Sequence, residues 1–231
     1  IKGNEEEILF KTKYINKHTN RFKAKERILS IKKEIAYSIE TTIKIFQLGI
    51  STFYNDSGSN EMNIHKLETL NDYLDDEVTN HILSLSKLKL KYKTAQHTIT
   101  LIKISNTIEQ IGDLGLDFYK VFKRMHDLGI PYREVDIERL TDIYNRLMEL
   151  FRVTERSIVN TSKKKLTDIK EREEEISLMI KEDFDTHVER LQKKDEYNGN
   201  VFVDAISVIE LTVSKVREIR KLLEKQLEDN N

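Results

Sequence analysis

The stretch that decides the fold is Ser105 to Asp117, SNTIEQIGDLGLD. It lies inside a long run of helical periodicity. Glu109 and Asp113 stand four residues apart, with Gly112 between them and Gly115 just beyond. Residues i and i+4 share a helix face, so the two carboxylates point the same way, one turn apart. Each glycine costs a helix about 1 kcal/mol relative to alanine. Two glycines in one turn of a strong helix therefore predict that another element approaches the backbone closely at this point.

Working outward, the apolar residues keep the same spacing. Leu101, Ile104, Ile108, Ile111, Gly115, Phe118, Phe122 and Met125 form one stripe, stepping by three or four. Ile28, Ile31, Ile35, Ile39, Ile43, Phe46 and Ile50 form a second. Ile137, Leu140, Tyr144, Leu147, Phe151 and Ile158 largely follow the same pattern in the second half. Each stripe predicts an amphipathic helix with one buried face. The breakers are Asp56–Asn60, Leu128–Tyr132, which holds the single proline, and Asn198–Asn200. They divide the chain into six long helices near 25–55, 60–94, 96–128, 133–164, 166–197 and 200–228. Residues 5–20 read as a short leading helix or an extended lead-in.

The halves look alike. Asn80-His81-Ile82-Leu83-Ser84-Leu85 aligns with Thr186-His187-Val188-Glu189-Arg190-Leu191, Ile39–Leu48 with Tyr144–Val153 (Phe46 over Phe151), and Glu109 with Glu210. The pairs are separated by nearly the same length of chain, as an internal duplication requires. The predicted fold is all-α: two tandem three-helix bundles of antiparallel helices, with short connections. The expected division is a lead-in at 1–24, a first bundle at 25–130 and a second at 131–231.

Composition narrows the function. With 39 basic and 40 acidic side chains, the net charge is −1. There is no electrostatic footprint for nucleic acid. The absence of cysteine excludes disulfides, thiolate zinc sites and cysteine nucleophiles. No apolar run reaches the roughly 18 residues that suggest a membrane span. No nucleophile elbow, phosphate loop or dinucleotide fingerprint is present. The six histidines form no paired-ligand pattern. The expectation is therefore a protein that is not an enzyme.

The Glu109-x-x-x-Asp113 segment resembles the carboxylate signature of the phosphate-uptake regulator (PhoU) family, and the two-bundle pattern resembles that family's architecture. Glu5-Glu6-Glu7, then Lys13-Tyr14-Ile15-Asn16, then Lys33-Glu34-Ile35 look like the junction of sodium/phosphate cotransporter family proteins, where a membrane domain precedes a PhoU-like one. That resemblance implies a regulatory domain on the cytoplasmic face of the inner membrane, modulating phosphate uptake. Its partner would be an upstream transmembrane transporter domain of the same protein, and a homodimer is compatible with it. A free-standing helical scaffold or a PhoU-type signalling adaptor is the alternative. Glu109 and Asp113 are then candidate ligands for a divalent metal or iron, since both offer charged oxygens from one face. The second half departs from the pattern: Glu210 is followed four residues later by Ser214 and no glycine accompanies it, so Glu210 is a weak ligand.

Overall fold

The computed structural model describes residues 10–16, 23–55, 58–88, 90–130, 133–192 and 200–229. Six helices carry the fold: α1 (Ala24–Tyr54), α2 (Ser59–Ser86), α3 (Tyr92–Asp127), α4 (Glu134–Val159), α5 (Lys163–Gln192) and α6 (Asn200–Glu228). No strand occurs among the described residues.

Two boundaries differ from the periodicity. The expected second helix ran to 94, but α2 stops at Ser86 and α3 starts at Tyr92. Lysine and leucine alternate from Lys87 to Lys91, so a continuing helix would spread its leucines around the cylinder instead of along the buried stripe. The expected fourth helix ran to 164, but α4 stops at Val159. Ser162 supplies a start signal for α5, its hydroxyl accepting the Lys165 N–H at 3.4 Å and its carbonyl the Leu166 N–H at 3.1 Å. The break after α3 falls as read: Gly129 takes a left-handed φ of 61°, and its N–H reaches the His126 carbonyl at 3.1 Å. Pro131, Asp56, Ser57, Asn198 and Gly199, named among the sequence breaks, lie outside the described residues.

Helices α1, α2 and α3 pack on one another, as do α4, α5 and α6. The groups are joined where α3 packs on α6 and α1 on α4. One apolar core runs through both. At the join, the rings of Phe46 on α1 and Phe151 on α4 stand 5.5 Å apart, and Phe118 on α3 lies 5.4 Å from Phe46. Phe46 and Phe151 are the pair that the internal repeat aligns, so like positions of the two halves meet across the join.

The glycines set how closely α3 can lie against its neighbours. A methyl group built on Gly115 would fall 2.7 Å from Ile45 Cγ2 and 3.1 Å from Phe46 Cε2 on α1. One on Gly49 of α1 would fall 3.0 Å from Phe118 Cδ1 on α3. Two helices thus approach through mutually bare surfaces, and neighbouring aromatic rings close over the gap.

The extended reading of the lead-in is the one seen for residues 10–16, which contain no helix. Glu34, fully buried on α1, accepts the backbone N–H groups of Lys13, Tyr14 and Ile15. A buried carboxylate needs such donors to offset its lost hydration. Ile15 enters the core directly beside this bond set. The segment is also tied to α2, where Phe10 and Tyr73 rings lie 5.9 Å apart.

Gly115→Ala is expected to lower the unfolding free energy by about 1–3 kcal/mol, the usual cost of overpacking a fitted core. Gly58→Ala should have little effect, because nothing lies within 4 Å of the added carbon. Urea denaturation of the two variants and the parent checks the difference.

Candidate functional site: an acidic face on α2 and α3

Helix α3 presents Glu109, then Asp113 and Asp117 one turn apart. Helix α2 lies beside it with Glu68, Asp72 and Asp75, again at helical spacing, and Asp76 at the edge. The helices come together here because Gly112 has no side chain. In that space sits Asn71 of α2, only 2% exposed, with its Nδ2 2.6 Å from where a Gly112 methyl group would be. The amide donates to the Ile108 carbonyl at 3.3 Å. Its other atom, Oδ1, is buried without a hydrogen-bond partner among the described residues. The close approach predicted at Gly112 is therefore filled by a polar side chain, while at Gly115 the neighbour is apolar and belongs to α1.

The carboxylates feel one another. Burial, then the charges of Asp113, Asp72, Asp75 and Glu68, push the Glu109 carboxyl up to about 7. Burial, then Glu68, Asp113, Asp76 and Asp75, push Asp72 up to about 6. Asp113 is raised by burial and by Asp117, against the pull of Lys120. Asp75 is raised by burial, opposed by the neighbouring Ser105 hydroxyl, and its Oδ1 is buried without a partner among the described residues. No lysine or arginine forms an ion pair with Glu68, Asp72, Asp75, Glu109 or Asp113 among the described residues. Lys120 pairs with Asp117 at 2.9 Å at the edge of the face, and the remaining acids concentrate negative charge beside it.

The donor set matches a hard cation in kind, since every group is an oxygen and most are anionic. In number it falls short of a fixed cage: among the described residues, no three His, Asp or Glu side chains come together closely enough to hold one ion. What the arrangement offers is a field that attracts cations and carboxyls that exchange protons near neutrality.

The equivalent seam of the second half is built differently. Glu210 and Ser214 are both exposed on α6, as is Leu211 between them. The buried acid there is Glu173 of α5, 1% exposed, bound by Arg220 through Nε at 3.0 Å and Nη2 at 3.1 Å. Arg217 adds a third contact at 3.4 Å, and Arg220 also holds Glu224 at 2.7 Å. Two arginines neutralise this seam, and Glu210 stands apart from any such group. His81 and His187, aligned by the repeat, also differ: His81 Nδ1 pairs with the Glu77 carbonyl at 3.0 Å, whereas His187 makes no hydrogen bond among the described residues.

Sequence reasoning found Glu109 and Asp113 but not their partners Glu68, Asp72 and Asn71. The signal of Glu68 and Asp72 was present as acids on one face of α2, while Asn71 gave none. It could not be distinguished from an ordinary solvated face until α3 was seen to lie against it.

With this geometry in hand, the fold can be compared with known structures. It is similar to the crystal structure of PhoU from Pseudomonas aeruginosa, with a TM-score of 0.71 over 92% of this chain and 99% of that chain. The fold is PhoU-like. Sequence identity to that protein is 10%, so the likeness concerns the backbone arrangement alone. No family model and no curated protein matches the sequence.

The raised acids give a signed pH dependence. A carboxyl whose pKa is higher in the folded chain binds protons there before it does so unfolded. Folding is therefore favoured as pH falls from above 7 toward the unfolded value of Glu near 4.3. The parent chain should gain thermal stability relative to Glu109→Gln as pH is lowered from 8 to 5. Melting curves of both proteins across that range test it; a constant difference between them would contradict the shared-charge account.

Proposed function

We propose that this chain is a PhoU-like regulatory domain in phosphate homeostasis, acting by contact and not by catalysis. The observation that supports this reading best is the PhoU-like fold carrying one intact carboxylate face at the position of the family-like Glu109-x-x-x-Asp113 motif. The finer reading is the cytoplasmic regulatory domain of a sodium-dependent phosphate transporter. Its support is the resemblance at Lys13–Asn16 and Lys33–Ile35, two segments that meet in space where Glu34 binds the amides of residues 13–15. In that reading an upstream transporter domain of the same protein would pull or press directly on α1 through this buried bond set. No helix among the described residues is long and apolar enough to cross a membrane, so the spanning segments would belong to the transporter domain. A free-standing adaptor or scaffold remains the second reading, and a homodimer is compatible with either.

In this proposal the α2–α3 face attracts a divalent metal or iron, held by Glu109 and Asp113 with water completing its shell. Magnesium commonly binds through one or two carboxylates while keeping several waters. The exposed Glu210, lacking a second acid, contributes little.

Two experiments check these points. Magnesium, manganese or ferrous iron titrated into the chain under calorimetry should show binding that Glu109→Gln with Asp113→Asn abolishes and Glu210→Gln leaves nearly unchanged. Binding retained by the double variant would move the cation elsewhere. Uptake of labelled phosphate in cells carrying the native protein should change in rate with the Glu109→Gln, Asp113→Asn pair. An unchanged rate, with the variant present at parental levels, would refute a role of this face in transport.

A further inference from the structure

At one end of the molecule, where the two helix groups meet, lies a cleft of about 230 Å³. Lys32 enters it from α1, His97 from α3 and Gln226 from α6, while Asn160 and Thr161 close it from the turn between α4 and α5. No carboxylate lines this cleft. Lys32 is half-buried, makes no ion pair among the described residues, and burial alone pushes its ammonium down from the usual lysine range. His97 Nε2 is buried and has no hydrogen-bond partner among the described residues. Burial, then the nearby Lys32, pushes the His97 imidazole down to about 4.

Two nitrogen groups of basic residues thus share a cleft, each partly stripped of water and with no carboxylate among the cleft's own lining, the nearest acid being Asp229 on the far side of His97. A buried polar group without a partner normally marks a missing ligand or water. An acceptor with negative charge suits both groups, because the lysine can only donate and the neutral imidazole donates from Nε2 in one tautomer. The volume decides the size class. It lies below the roughly 300–1,000 Å³ typical of organic ligand pockets. A compact multi-oxygen anion fits, and a buried nucleotide does not.

We propose that this cleft binds a small tetrahedral oxyanion of the phosphate type, held by Lys32 and His97 between the two helix groups. The same chemistry is shared by the free ion and by the terminus of a phosphate monoester. The anion's contacts reach α1, α3, α6 and the α4–α5 turn, so occupancy stiffens the join between the halves. This site is separate from the acidic face and does not rest on the regulatory reading above.

The test titrates inorganic phosphate and methyl phosphate into the full chain under calorimetry at low salt. Saturable binding of about one anion per chain is expected. Lys32→Met and His97→Gln should each weaken it about tenfold or more, or 1.4 kcal/mol or more. Lys32→Arg, which keeps the charge, should retain it, and Lys44→Gln on an exposed part of α1 should leave it unchanged. Circular dichroism melts identify any variant that fails to fold. The groups facing His97 are Lys32 on α1, Lys93 on its own helix, and Asp229 beyond α6, whose carbonyl accepts from Lys93 Nζ at 2.8 Å. With the anion present, the His97 titration followed by NMR should therefore move upward, since only an added negative charge changes among them. Binding of both compounds assigns the free ion as a sufficient ligand; binding of methyl phosphate alone assigns a monoester terminus. Binding of neither, or parental affinity in Lys32→Met, overturns the proposal and leaves a water-filled cleft.

Discussion

The structure depends on how closely α3 can lie against α1. Both helices are bare at the crossing, Gly115 on one and Gly49 on the other, and each faces an aromatic or branched side chain of its neighbour. That closeness lets Phe46 and Phe53 of α1 meet Phe118 and Phe122 of α3, with ring centroids 5.4 and 5.0 Å apart. The same cluster reaches Phe151 of α4, so the packing of the first helix group also fixes its join to the second. Interiors at this density do not deform continuously. A change in the spacing of α1 and α3 would therefore be felt at the join and along the α2–α3 seam.

The two halves share a backbone plan but have parted in their electrostatics. In the first, Gly112 lets Asn71 in, and a row of acids lies beside it with Lys120 on Asp117 as its ion pair among the described residues. In the second, Arg217 and Arg220 surround Glu173, and the seam is balanced. Removing one partner of a buried pair is strongly destabilising, whereas a charge-dense face near water is mildly so and can exchange protons or ions. The second seam therefore suits structure, and the first suits exchange with its surroundings.

The long-range order of this molecule was legible in its sequence because helical periodicity is redundant. Stripes such as Ile31–Ile35–Ile39 and Ile104–Ile108–Ile111 repeat the same message over many turns, and all of these residues are buried. Helix ends were less legible where no glycine or proline marks them, as at Ser86 and Val159. Glu109 and Asp113 could be picked out because their spacing is local. Glu68, Asp72 and Asn71 could not, because what makes them part of a site is the register of α2 against α3. Lys32 and His97 were invisible for the same reason: neither has a local motif, and the cleft exists only where four segments converge. The role of Glu34 was likewise hidden, since a glutamate in a helix gives no sign that it will receive three backbone donors from a segment about twenty residues earlier.

The most direct measurement is a double-mutant cycle between Gly115 and Ile45. Ile45→Ala removes the atom that stands 2.7 Å from a carbon added at Gly115, and alone it should cost about 2–5 kcal/mol through the cavity it leaves. Combined with Gly115→Ala, the new methyl group enters that space. The pair should then be less destabilised than the sum of the single changes, by more than the roughly 0.3–0.5 kcal/mol scatter seen for independent sites. Such coupling is the result expected if α1 and α3 meet at these bare surfaces. Strict additivity in urea denaturation would mean that the two positions do not touch, and it would contradict the packing on which the rest of the structure depends.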